Sequence, residues 1–93
     1  MMIRKNIDIV ETLMPDEAVV VDVRNKMFYT LNSSARVLWG LLGKKPKQLR
    51  FLTEQYRKEL GIDGSIAARD VRKCIRELCK RKLIVTQPCH DCC

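Results

Sequence analysis

The chain has a single histidine, His90, and it stands among the last few residues. No Gly-rich phosphate loop, Gly-x-Ser-x-Gly elbow or His-Glu-x-x-His pair occurs. These gaps exclude the usual phosphate-binding, serine-hydrolase and zinc-hydrolase machinery. The carboxylates offer no substitute. Asp70 and Glu77 each have Lys or Arg three or four positions away, the spacing of surface ion pairs on a helix rather than of an acid–base couple. No apolar run approaches the ~20 residues of a membrane span. The opening "MMIRKNIDIV" has a basic pair but no apolar h-region and no small-residue cleavage site, so a soluble, cytoplasmic protein is expected. Internal repeats and low-complexity tracts are absent too. The lack of machinery favours a noncatalytic binding module with no cofactor.

What is present bounds the answer further. Ninety-three residues make one domain, enough for a small two-layer core but with little room for an enclosed active site. An apolar share of 46% is that of a folded globule. The net charge of +7, from 18 Lys and Arg against 11 Asp and Glu, favours an acidic partner: a nucleic acid, an acidic peptide or an acidic protein face. Of five cysteines, Cys74 and Cys79 fall within a helical pattern and Cys89, Cys92 and Cys93 crowd the end. An odd, clustered set is not an extracellular disulfide framework, so thiols or metal ligands are expected.

Alternating "IDIVETL" (7–13), β-branched "EAVVVDV" (17–23) and "MFYTL" (27–31) read as three strands. Pro15 and Asp16 turn the first pair, and Asn25, able to take a positive φ, turns the second. The facing expected is Val19, Val21, Val23, Tyr29 and Leu31 toward the helices, with Ala18, Val20, Phe28 and Thr30 outward. Asn32 or Ser33 caps a helix carrying Ala35, Leu38, Trp39 and Leu42, which Gly43 ends. A second helix with Pro46 in its first turn buries Leu49, Leu52, Tyr56 and Leu60 and stops at Gly61. Asp63 caps a third helix over about 64–82, with Val71, Ile75 and Leu78 as core and Cys74 beside them. "KLIVT" (82–86) reads as a short closing strand. The fold class is α+β and winged-helix-like: an N-terminal three-stranded antiparallel meander followed by three helices. Residues 1–88 form the domain, and 89–93 a Cys-rich tail.

Three features could carry function. On the third helix Arg69, Lys73, Arg76 and Lys80, with Arg72 beside them, make a cationic face. Residues 69–82 contain no Asn, Gln, Ser or Thr to read base edges, which weakens the case for sequence-specific DNA recognition and leaves nonspecific binding open. The meander has open edges, to which an extended peptide can add as a strand, and an apolar outer face that suits a homodimer contact or another docking partner. In the tail, Cys89, His90, Cys92 and Cys93 include a Cys-x2-Cys metal spacing. Without a second conventional pair, disorder, a metal site and a redox role all stay open.

The stretch "EAVVVDVRNKMFYTLNSSARVLWGLL" (17–42) joins a strand ending in Asp22, two aromatics Phe28 and Tyr29, the pair Leu31-Asn32, and a helix with Ala35, Trp39, Leu41 and Leu42. "LTEQYRKELGIDGSIAARDVRKCIRELCKRKLI" (52–84) continues with Tyr56, Asp63, Asp70, Val71, Leu78 and Leu83-Ile84. In order and spacing this resembles the PqqD-like family, which includes the peptide chaperone of pyrroloquinoline quinone synthesis and related RiPP recognition elements. Asn25 and Lys82 stand where glycines are common in that pattern. The resemblance implies binding of a precursor's leader peptide along the third strand and against the third helix, and its presentation to a modifying enzyme, often a radical-SAM protein. The residues implied are Met27, Phe28, Tyr29 and Thr30 on the strand, and Arg69, Arg72, Lys73 and Arg76 on the helix. The competing readings are a winged-helix nucleic-acid binder and a small thiol or metal carrier acting through the terminal cysteines.

Overall fold

In the computed structural model, which describes residues 1–87, the chain runs through β1 (Met2–Lys5), β2 (Ile9–Leu13), β3 (Ala18–Asp22), β4 (Met27–Leu31), α1 (Ser33–Leu41), β5 (Lys47–Gln48), α2 (Leu49–Leu60), α3 (Gly64–Lys80) and β6 (Ile84–Gln87). The fold is α+β, as expected. The meander β2-β3-β4 is one antiparallel sheet. A second sheet, β5-β1-β6, was not foreseen. It is built from distant segments, with Ile3 opposite both Lys47 and Thr86. The closing strand expected over 82–86 is its β6; β1 and β5 carry no local alternation that would announce them, and only Ile3 of β1 is fully buried.

Several boundaries shift for local reasons. The first meander strand starts at Ile9 rather than Ile7, because Asp8 turns the chain at φ 60°. Ile7 is left exposed. Pro46 is outside the helical first turn: residues 47–48 pair with β1, and α2 starts at Leu49. Leu60 is also exposed, not part of the buried stripe. α1 ends at Leu41, while Gly43 accepts a bond from the Lys5 N–H at 2.8 Å. The third helix stops at Lys80, where Lys82, at φ 60°, swings the chain into β6. A left-handed backbone there explains why a glycine is at home at this position.

The facing of β3 corrects the sequence reading. Ala18 and Val20 are fully buried, Val19 and Val21 half-buried, and Val23 exposed. Cross-strand pairing is the reason. Val20 lies opposite Tyr29, and Ala18 opposite Leu31. Directly opposed residues share a face, so inward Tyr29 and Leu31 bring Val20 and Ala18 with them. The outer face is therefore Val10, Thr12, Val19, Val21, Phe28 and Thr30.

Asn32 makes the strand-to-helix junction. Its Oδ1 accepts from the Ala35 N–H at 2.9 Å, and its backbone stays extended. Asp63 caps α3 in the same manner through Ser65, and Gly61 closes α2 at φ 62°. In the hairpin the positive φ belongs to Lys26, not Asn25. Asn25 instead donates its backbone and side-chain N–H groups to the two Asp22 oxygens, at 3.1 and 2.7 Å.

The core joins both sheets to the helices through Ile3, Val20, Leu31, Leu38, Trp39, Leu52, Tyr56, Val71, Leu78 and Leu83. Each such large apolar side chain gains about 1.5–3 kcal/mol from leaving water. A polar clasp spans the sheets above Trp39. The indole N–H donates to Glu11 of β2, and Lys5 of β1 bonds both Glu11 oxygens at 2.8 and 3.0 Å. The Lys5 ammonium also sits 4.7 Å from the Trp39 ring centre. No helix among the described residues is long and apolar enough to cross a membrane.

Candidate functional site

β4 is paired with β3 alone, so its other edge is unpaired among the described residues. Alternate residues of such an edge strand present free N–H and C=O groups. α3 runs beside this edge, and an open groove of about 460 Å³ separates the two. Thr30, Leu31 and Asn32 form one wall. Asp70, Lys73, Cys74, Glu77 and Arg81 form the other, brought to one flank by helical spacings of three and four. Tyr56 of α2, buried to 2% exposure, closes the floor.

Electrostatically the groove is mixed. Asp70 and Glu77 face it together with Lys73 and Arg81. The Arg81 guanidinium stands 5.2 Å from the Tyr29 ring centre, tying the end of α3 to β4. Burial pushes the Cys74 thiol up to about 11; Glu77 acts in the same direction and Arg81 against it. A thiol so protonated at neutral pH is no nucleophile. Burial likewise raises the Tyr56 phenol above its ordinary value, with Ser34 opposing.

The residues expected from sequence divide between places. On β4 Phe28 points outward and is 71% exposed, Met27 shares the inward face with Tyr29 but stays exposed at the strand's start, and Thr30 borders the groove. Lys73 faces the groove. Arg69, Arg72 and Arg76 do not: they line a second hollow on the other flank of α3, with Met1, Leu49 and Ile75. Between the flanks runs the buried stripe Ala67, Val71, Ile75 and Leu78. Asp70, Cys74, Glu77 and Arg81 went unassigned to the groove in sequence reading, although their spacing from Lys73 along the helix could have grouped them. Cys89, His90, Cys92 and Cys93 lie outside the described residues. Among the described residues no cluster of three or more His, Cys, Asp or Glu could hold a metal.

Comparison with known proteins gives two matches. The family model described as "Coenzyme PQQ synthesis protein D (PqqD)" matches residues 17–84. The solved structure of TbiB1 in complex with the TbiA(beta) leader peptide is similar in fold, with a TM-score of 0.80 at 20% identity, over 92% of this chain and 99% of that one. None of the curated proteins matches.

Proposed function

This chain belongs to the PqqD family, and from that premise we propose that it is a noncatalytic peptide-binding protein of the RiPP recognition type. It takes the leader segment of a ribosomally made precursor as an added strand on β4 and presents the peptide to a modifying enzyme, a radical-SAM protein in our reading. The observation that carries this is the unpaired β4 edge lying alongside the α3 groove. Main-chain bonds to the edge supply affinity, and the groove selects side chains. The leader complex of the similar protein TbiB1 supports the same choice.

The charges of the groove favour a leader of mixed sign in this reading. Lys73 and Arg81 meet leader carboxylates, and Asp70 and Glu77 meet leader Lys or Arg. A polyphosphate chain would be repelled by these two carboxylates, which disfavours nucleic acid here. The test is amide hydrogen exchange of the labelled protein with and without a leader peptide encoded beside its gene. Alternate amides of Met27–Leu31 exchange fast in the free protein and become protected with peptide. Tight binding that leaves all β4 amides unprotected would overturn strand addition.

A further inference from the structure

A second hollow, of about 680 Å³, shares no lining residue with the β4 groove. Arg69, Arg72 and Arg76 rim it, spaced three and four apart so that their guanidinium groups share a flank. None of the three is ion-paired among the described residues, where the salt bridges are Lys5–Glu11, Arg24–Asp8 and Arg57–Glu54. No carboxylate lines the hollow, in contrast to the β4 groove. Its floor is apolar: Ile75 comes from the buried stripe of α3, and Leu49 is held at the start of α2 by a bond from its N–H to the Met1 carbonyl at 3.1 Å.

From this we infer that the hollow docks an acidic segment of a partner protein, one that places a Leu-like side chain on the Ile75–Leu49 floor and carboxylates against Arg69, Arg72 and Arg76. Arginine suits the task, because its planar fork meets a carboxylate through two parallel bonds. The apolar floor is what separates this occupant from a nucleic acid, whose phosphates need only the rim. Identifying the segment's owner as the modifying enzyme rests on the function proposed above; the acidic docking site itself does not. With the leader on one flank of α3 and the partner on the other, the two sites can be filled together.

The experiment titrates labelled protein with a short synthetic peptide of Glu and Leu, with its Gln and Leu counterpart, and with a random-sequence DNA duplex. The Glu–Leu peptide is expected to shift the Arg69, Arg72 and Arg76 side-chain N–H signals and the Ile75 methyls, leaving the β4 amides unmoved. Its affinity falls at least about tenfold in the variant R72E/R76E, and falls with added salt. Both arginines are exposed, so the variant keeps its fold, which circular dichroism checks. Shifts at β4 instead, equal binding of the Gln–Leu peptide, or tighter binding of the duplex would each overturn the inference. Failure of leader peptides to protect β4, with the hollow still binding acid, would sink the proposed function and leave this site standing.

Discussion

Asp70, Lys73, Glu77 and Arg81 stand on one flank of α3, and Arg69, Arg72 and Arg76 on the other. The same helix thus offers one face with charges of both signs and one with a single sign. The difference follows from what each face lies beside. Next to β4, in the proposed binding mode, an extended guest would gain its binding energy from backbone pairing, and the side chains would have only to sort guests, which both signs do better than one. The hollow is lined by side chains of α3 with Met1 and Leu49, so attraction there is assigned to net charge and an apolar floor. A long helix laid down on its buried stripe acquires two such flanks at no further cost in fold.

The severest way to break the comparison is to remove the stripe both flanks depend on. Leu78→Ala, at a side chain 1% exposed, is expected to lower the unfolding free energy by about 2–5 kcal/mol in urea titrations. Both binding activities fall with it. Asn32→Ala acts on one side only. Loss of the α1 cap, which also borders the groove, costs about 0.5–2 kcal/mol and weakens leader binding more than acidic-peptide binding. Arg81→Gln is gentler still. It removes a cation from the Tyr29 ring and from the groove, and reduces leader affinity by about 0.5–1 kcal/mol in calorimetry. The hollow is untouched, and R72E/R76E should give the reverse pattern.

Two smaller effects sharpen the contrast. Bonds from the Asn25 side chain, then from its backbone, hold the Asp22 carboxyl below its ordinary value. Its contribution to the hairpin is present above the unfolded carboxylate value of about 4 and is lost as pH falls through the lower folded value. Acid therefore loosens the β3–β4 hairpin, and Asp22→Asn flattens that dependence in hydrogen exchange. Cys74, pushed up to about 11, should react with iodoacetamide more slowly than exposed Cys79 at mildly alkaline pH. Mass mapping shows which site is modified. Leader peptide protects Cys74 further, and the acidic peptide does not.

Where a signal is local, the sequence could be read. Asn32 after a strand and Asp63 before a helical pattern became the caps they promise to be, and Gly61 took the left-handed turn. The meander, three helices and most of their buried stripes followed from periods of two and 3.6. Less local features were misjudged. The facing of β3 hung on which residue of β4 it opposes, and five consecutive residues "AVVVD" have no polar alternation to choose a side. Pro46 looked like a helix start because nothing nearby reveals that β1 pairs with residues 47–48.

The helical spacing of α3 was determined by the chain alone: which residues form its buried stripe, and which stand on its flanks, follows from counting. Only the tertiary structure decided what each flank faces. The open edge of β4 came to lie beside Lys73 and Arg81, and the end of β1 with the start of α2 came to lie beside Arg69, Arg72 and Arg76. Those neighbours are set by packing between segments dozens of residues apart, and a side chain's spacing along its own helix has no information about what the fold brings opposite it.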